Sequence, residues 1–353
     1  MSPLVSILIP AYNAERWISD TIRSALAQTW TRKEIIVVDD GSRDETLAIA
    51  QRFASCDVLV VTQENQGAAT ARNRAFQVCQ GDYIQWLDAD DLLSPDKIAK
   101  QMAALECEGK RMLMSCSWSY FSYSPERARF EPSPLWSDLA PVEWLTRKIG
   151  QNLQMPPATW LVSRELTQAA GPWDSRLSFD DDGEYFCRVV RASDGVRFVP
   201  EAKVFYRLSG SDSLSSMDES EQKLDSLFLS MQLHISHVRS LEDSERVRAA
   251  CLSYLQKRLI RFYPENAALV EQLQEMATRL GGRLEVPYLP PRYAWMRKMF
   301  GWRFTKRFRR RYNRTKALVT RAVDNVLFRL TRGTIAQTNS GFNATSAIPS
   351  SRS

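Results

Sequence analysis

The chain has 353 residues, 44% of them hydrophobic and 25% charged, the balance of a globular protein large enough for more than one structural unit. It contains no run of 18 or more apolar residues, which excludes a membrane-spanning helix. No basic N-terminal region leads into an apolar stretch, which speaks against a secretory signal. The six cysteines are scattered, with no Cys-x-x-Cys pair, and read as reduced thiols of a cytosolic protein. The net charge of +6 is unevenly placed: eleven Lys or Arg and no acid lie between Arg292 and Lys316, so the rest of the chain carries −5.

In chain order, Leu4 to Pro10 predicts a buried strand, because β-branched residues dominate and proline stops it. Asn13 is placed to cap a helix whose Ile18, Ile22 and Leu26 form one apolar face. Glu34 to Val38 predicts a second buried strand ending in Asp39-Asp40-Gly41-Ser42. Ser42 with Glu45 fits a capping box opening a helix that carries Leu47, Ala50 and Ala54. Val58 to Val61 reads as a third strand, Gly67 to Cys79 as an Ala-rich helix, and Asp82 to Leu87 as a fourth strand that delivers Asp88-Ala89-Asp90-Asp91. Ser94-Pro95 looks like the start of another helix.

Alternation of this kind, with short connections, implies a parallel sheet covered by helices on both faces. The glycine fingerprint of a dinucleotide site is absent after the first strand, where Pro10-Ala11-Tyr12-Asn13 stands, and so is a P-loop. Paired aspartates instead follow Val38 and Leu87. Ligands of open α/β sheets bind at that edge. An Asp-x-Asp there offers the oxygen ligands of a hard divalent cation, which can bridge a nucleotide's phosphates to the protein. The bland reading of the same residues is a solvated turn.

Between Arg111 and Arg164 the pattern is less regular, and Trp118, Tyr120, Phe121, Tyr123, Trp136, Trp144 and Trp160 crowd together. Aromatic faces stack on sugar rings, but tryptophan and tyrosine are also ordinary core residues. Pro156-Pro157 reads as a turn before a strand over 158–162, and Gly171 to Asp174 as another turn. Asp180-Asp181-Asp182-Gly183-Glu184 opens a helix. Acids in a first turn suit the helix dipole, and one of them can equally be poised as a general base. Two short strands follow at Val196 to Val199 and Val204 to Tyr206. Residues 219–280 predict three helices broken near Leu241 and Pro264. His234 and His237 lie one turn apart without a third ligand nearby, so a metal pair is not expected. Pro287 to Pro291 marks a break, and the tail from Gly333 is Ser/Thr/Asn-rich, the composition of a disordered segment.

Several stretches resemble the family 2 glycosyltransferases. They are Val5 to Asn13, Val37-Val38-Asp39-Asp40-Gly41-Ser42, Asn65-Gln66-Gly67 with Ala71-Arg72-Asn73, and Leu87-Asp88-Ala89-Asp90-Asp91, all in order. The resemblance is strong over residues 4–98. It is moderate over 157–216, through Gly171-Pro172-Trp173-Asp174, Asp181-Asp182-Gly183-Glu184-Tyr185 and Tyr206-Arg207 with Ser213 and Ser215. It does not reach 217–353. It implies an α/β GT-A fold, with a Rossmann-like, mostly parallel sheet flanked by helices and a helical C-terminal extension. It also implies that Pro10, Tyr12 and Asp40 line a nucleoside pocket, with Asp40 on the base, and that Asp88 faces ribose or phosphate. Asp90 would hold Mg²⁺ or Mn²⁺ on the diphosphate, and Asp182 would serve as base. The family usually has Glu-Asp where this chain has three aspartates, so Asp181 stands as the alternative base.

The activity implied is inverting, metal-dependent transfer from a nucleotide-sugar donor to a glycan or lipid-linked acceptor in polysaccharide, lipopolysaccharide or glycolipid synthesis. A non-catalytic sugar-nucleotide-binding scaffold is the alternative. The organisation expected is a GT-A domain over 1–216, a helical extension over 217–286, a basic-aromatic segment over 287–332 and a disordered tail over 333–353. The basic-aromatic segment suits an anionic membrane surface better than nucleic acid, which implies a cytoplasmic protein peripheral on the inner face of the cell membrane.

Overall fold

A computed structural model of the chain describes residues 2–106, 108–209 and 220–341. The first half is the expected alternation: β1 (Val5–Ala11), α1 (Ile18–Leu26), β2 (Lys33–Asp39), α2 (Thr46–Gln51), β3 (Val58–Thr62), α3 (Ala68–Val78) and β4 (Tyr83–Trp86). Then come β5 (Leu92–Leu93), α4 (Lys97–Leu105), β6 (Met112–Phe121), α5 (Pro141–Gln151), β7 (Val162–Ser163), α6 (Arg164–Ala170), α7 (Asp181–Ala192) and β8 (Gly195–Arg207). The strands form two sheets, one ordered β3-β2-β1-β4-β7 and one ordered β5-β8-β6. In the first, β3, β2, β1 and β4 are parallel and β7 joins β4 antiparallel.

The first sheet shows why parallel strands read as unbroken apolar runs. Successive side chains point to opposite faces, and both faces are core. Leu8, Ile36, Val38, Ile84 and Trp86 pack on one side with Ala71 and Ala75 of α3. Ile7, Ile9, Ile35 and Val37 pack on the other with Ile18 and Ile22 of α1. Strand order reverses at β1, so the crevice outside its carboxyl end, beside that of β4, is the place for a ligand.

Helix starts differ from expectation. Asn13 does not cap α1; at φ 48° its Oδ1 accepts from Arg43 N and its N–H donates to Ser42 Oγ. That contact takes the Ser42 hydroxyl, so no capping box forms, and Asp44 accepts from Thr46 N instead. The Ser94 hydroxyl donates to Asp96, and α4 begins later. The irregular middle holds a ten-residue strand, β6, and the helix α5. The two short strands near 200 are one strand, β8, whose register against β6 slips between Cys116 and Ser117.

The extension is α8 (Glu221–Leu241), α9 (Glu245–Arg258) and α10 (Ala267–Arg279), with breaks where Leu241 and Pro264 place them. It shares one core with the sheet domain: Leu227, Met231, Ile235 and Val238 join Trp144, Tyr185, Phe186 and Val190. Helix α11 (Ala294–Gly341) bends at Gly301, where φ is +74°. It runs past Gly333, where a disordered tail was expected; 342–353 lie outside the described residues. Lys306 ties α11 to the body through the carbonyls of Arg261 and Tyr263 and through Glu265 Oε2 at 2.8 Å. Trp295, Met299, Phe300, Phe304, Phe308 and Tyr312 remain exposed along it. Among the described residues no helix is long and apolar enough to cross a membrane.

Candidate active site

The carboxyl ends of β1 and β2 lie side by side, with Pro10 opposite Val38 and Asp40 N donating to Ala11 O. Tyr12, just past β1, is exposed. Asp40 is buried, and its carboxylate is turned into the loop ahead of α3. Oδ1 accepts from Gln63 Nε2 at 2.7 Å and Gln66 N at 2.9 Å, and Oδ2 accepts from Gly67 N at 2.8 Å. Asp40 therefore fixes one wall of the crevice. A carboxylate offers about four acceptor positions, so one is left.

Beyond β4 the three acids Asp88, Asp90 and Asp91 have different surroundings. Asp91 is fully buried and accepts from Arg207 N at 2.8 Å, while its Oδ2 has no partner among the described residues. Arg207 also donates from Nε to Asp90 O, and its guanidinium lies over Trp17 and Phe121 at 4.3 and 4.4 Å. Asp88 pairs with Arg72 Nη2 at 2.8 Å. Burial pushes Asp90 up to about 6, with the nearby Asp88 charge adding to it and Ser209 and Arg207 opposing it. Burial, then Asp90 and Asp88, holds Asp91 well above the usual carboxylate range. A divalent cation relieves this kind of mutual repulsion, and an orphaned buried carboxylate oxygen is a further sign of uncompensated negative charge. Among the described residues no group of three His, Cys, Asp or Glu is arranged to hold a metal ion. The residues therefore fit the mode in which one or two carboxylates bind the ion and substrate phosphates complete its shell.

The acidic turn of α7 divides three ways. Asp180, in the left-handed region at φ 60°, faces the extension, accepting from Ser230 Oγ at 2.8 Å with Arg258 3.9 Å away. Burial acts against its charge, but Arg258 leads the groups that hold it below the usual range. Asp181 faces the sheet and takes Arg72 Nη1 at 2.7 Å. Asp182 has one hydrogen bond among the described residues, from Gly183 N at 2.8 Å. Burial pushes Asp182 up to about 7, helped by the Asp181 and Asp180 charges and opposed by Arg72 and Lys148. A carboxylate of that basicity is ionised often enough near neutrality, and is basic enough, to accept a proton in a transition state.

Two residue sets had no role in the sequence reading. The first is Arg72, which joins Asp88 to Asp181 and lies 4.4 Å over Trp173. The second is a polar seam on α8. Ser226 Oγ accepts from Ser178 N and Phe179 N, Ser230 meets Asp180, and His237 Nε2 lies 3.0 Å from Glu184 Oε1. His234 Nδ1 sits between Ser230 Oγ and Tyr254 Oη at 3.2 and 3.3 Å, and burial pushes this imidazole down to about 4, so it is neutral. The histidines thus brace the turn. The available signal was polar residues at i, i+4 and i+8 on a face otherwise apolar. Gly183 sits where the seam and the turn meet: a Cβ there would stand 2.7 Å from Asp180 Oδ1 and 3.2 Å from His234 Cε1. Ser213 and Ser215 lie outside the described residues.

Two parallel-sheet strand ends bearing acids, faced by an acidic helix start, define an α/β protein with its candidate site at the carboxyl edge of the sheet. The sequence profile of Glycosyl transferase family 2 matches residues 6–163. EpsJ of Bacillus subtilis (strain 168), described as an uncharacterized glycosyltransferase, is 30% identical over 242 residues, covering 63% of this chain and 68% of EpsJ. The chain belongs to glycosyltransferase family 2. TuaG of Bacillus subtilis (strain 168), described as a putative teichuronic acid biosynthesis glycosyltransferase, is 42% identical over 125 residues, 35% of this chain and 47% of that protein. Escherichia coli chondroitin synthase is 46% identical over 98 residues, 27% of this chain and 14% of that one. The chain thus spans about half the length of TuaG, and 60% of a Rickettsia prowazekii relative. Among solved structures, S. aureus TarS 1–349 in complex with UDP-GlcNAc superposes with a TM-score of 0.63 at 15% identity, covering 87% of this chain and 91% of that one. The chain has the GT-A fold.

Proposed function

We propose that the chain transfers a glycosyl group from a nucleoside diphosphate sugar to a hydroxyl acceptor in polysaccharide synthesis, with inversion at the anomeric carbon. The observation that carries this reading is the division of the α7 acids. Asp180 and Asp181 are held by cationic and polar partners, while Asp182 is left with a proton affinity near 7. In this reading Asp182 takes the acceptor's proton. Pro10 and Tyr12 line the nucleoside pocket, and Asp40 both shapes its wall and offers its remaining lone pair to the base. Asp88, held by Arg72, faces ribose or phosphate. Asp90 would hold Mg²⁺ or Mn²⁺, which when bound neutralises charge developing on the leaving diphosphate. The nucleotide-sugar donor is supported by the UDP-GlcNAc complex of the TarS neighbour, and the polymeric product by the names of TuaG and chondroitin synthase.

The exposed aromatic side chains and eleven basic residues of the 292–316 stretch support peripheral binding to an anionic membrane, on its cytoplasmic face and beside a lipid-linked acceptor. Each engaged Lys or Arg contributes about 1 kcal/mol there. Co-sedimentation with phosphatidylglycerol liposomes should be lost at high salt; equal pelleting with neutral liposomes would remove this part.

The test of the activity is nucleoside diphosphate release from a panel of UDP-, GDP- and dTDP-sugars with Mn²⁺, with and without EDTA. One donor should be turned over and EDTA should stop it. No release from any donor would overturn the reading; undiminished release in EDTA would remove Asp90 and the metal from it.

A further inference from the structure

The crowded aromatic residues of the middle segment separate into two groups. Trp144 and Trp160 are wholly buried and packed on each other, and Trp160 stacks on Phe186. Trp118 and Tyr120 are different. They lie on β6 directly opposite Val204 and Tyr206 of β8. Side chains alternate across a strand, so Ser119, Phe121, Phe205 and Arg207 face one way, where Phe121 packs on Phe205 and under the Arg207 guanidinium. Trp118, Tyr120 and Tyr206 share the other face. Their rings meet edge to face, at centroid distances of 4.9 Å (Trp118 to Tyr120), 5.6 Å (Tyr120 to Tyr206) and 6.2 Å (Trp118 to Tyr206).

Three further observations bear on this cluster. Tyr120 is 44% exposed, so the cluster is not closed over as core. The Tyr120 hydroxyl donates to Gln154 Oε1 at 2.9 Å, which fixes the plane of the open ring. The Tyr206 phenol is held well above its ordinary range, by burial first and then by the charges of Asp91, Asp88, Asp182 and Asp90. Arg207, the next residue, donates from N to Asp91 Oδ1 at 2.8 Å, so the cluster adjoins the acids at the end of β4, and Arg72 ties Asp88 there to Asp181 of the α7 turn.

We propose that Trp118, Tyr120 and Tyr206 form the acceptor subsite and that it takes a pyranose ring, stacked by its C–H face on the open face of Tyr120. This rests on the glycosyl-transfer reading, in which the acceptor must lie beside Asp182 and across from the nucleotide. There the acceptor O–H gives its proton to the Asp182 carboxylate. Its oxygen forms the new bond to the anomeric carbon as the bond from that carbon to the diphosphate oxygen breaks, and the bonding pair leaves with the diphosphate. Rigid aromatic faces suit the apolar face of a sugar. A polyol-phosphate acceptor suits them poorly: the surrounding carboxylates repel its charge, and Arg72 is already held between Asp88 and Asp181.

The experiment uses the full chain with the donor found in the panel. The acceptor probes are p-nitrophenyl glycosides of glucose, galactose and N-acetylglucosamine, against glycerol 3-phosphate. Tyr120→Ala should raise the KM for the accepted glycoside about tenfold, the size of one aromatic contact, with a smaller effect on kcat. Tyr120→Phe, which keeps the ring, should recover most of that loss. Thermal melts of both variants check that they are folded. An unchanged acceptor KM in Tyr120→Ala would overturn the subsite, as would transfer to glycerol 3-phosphate and to none of the glycosides. Donor hydrolysis to water by the wild type, measured without acceptor, separates the two readings. Hydrolysis together with an acceptor KM unchanged in Tyr120→Ala sinks the subsite alone, whereas no hydrolysis and no transfer sinks the glycosyl-transfer reading and the subsite with it.

Discussion

The end of β4 and the start of α7 each carry three acids, and both triplets are divided alike. One acid of each anchors structure, Asp91 on the Arg207 backbone and Asp180 on Ser230 of α8. One of each is bridged by the same guanidinium, Asp88 and Asp181 on Arg72. The third of each has neither tie, and burial pushes Asp90 up to about 6 and Asp182 up to about 7; burial raises Asp91 and Asp181 too. The difference lies in what holds them. The β4 triplet is set by the sheets, through β8. The α7 triplet is set by a helix from outside the sheet domain. A single acidic motif therefore does not define chemistry in this fold; its neighbours decide which carboxylate is available.

The largest way to break this comparison is Asp182→Asn. General-base loss costs roughly 10²- to 10⁴-fold, and kcat should fall by that much, whereas Asp181→Asn should cost far less. The wild-type rate should rise with pH through about 7, as the base loses its proton, and level off above; that limb should vanish in Asp182→Asn. A larger loss in Asp181→Asn would reverse the assignment.

The same substitution should stabilise the protein. The folded-state value for Asp182 lies above its ordinary 3.8, so the native state binds more protons between those limits and stability falls as pH rises across that window. Asp182→Asn should therefore raise the melting temperature by a few degrees at pH 8 and leave it nearly unchanged at pH 4. Equal shifts at both pH values would show that burial of the charge is not the cause.

The next two changes sharpen the comparison, because they should move the rate limb in opposite directions. Arg72 lowers the proton affinity of Asp182 and Asp180 raises it. Arg72→Gln should shift the limb to higher pH, with a loss of roughly fivefold at pH 7 from a shift of about one pH unit. Asp180→Asn should shift it to lower pH while reducing stability. Shifts in the same direction would mean that both act by disordering the turn.

The smallest effect is that of Ser230→Ala, which removes one hydrogen bond to Asp180. It should cost about 1 kcal/mol of stability, read by denaturant melts, and leave the pH profile near the wild type. An unchanged melt would show that the α8 seam is not a brace.

Local signals carried the β4 triplet into view. A buried strand ends, the acids follow at once, and parallel sheets bind ligands at that edge. The same logic found β1 to β4 and their helices. The α7 triplet was seen as acids, but its base could not be separated from its neighbours, because Arg72 is 109 residues from Asp181 and Ser230 is 50 from Asp180. Strand β6 escaped notice for another reason: Ser115, Ser117 and Ser119 alternate with Cys116, Trp118 and Tyr120 as in a half-buried strand, but the serine face is buried too, in a segment whose crowded aromatic residues drew the reading towards sugar stacking. Helix caps failed where a nearby loop claimed the hydroxyl first, as Asn13 does with Ser42.

Gly183 has no functional group, yet a library of single substitutions scored for turnover should be as empty at 183 as at 182. Even alanine adds an atom that must push Asp180 or His234 aside, and the turn carrying the base moves with them. Such a map reads volume and chemistry on one scale. Here the two meet at adjacent positions, and only the proton titration of the surviving variants would tell which had been lost.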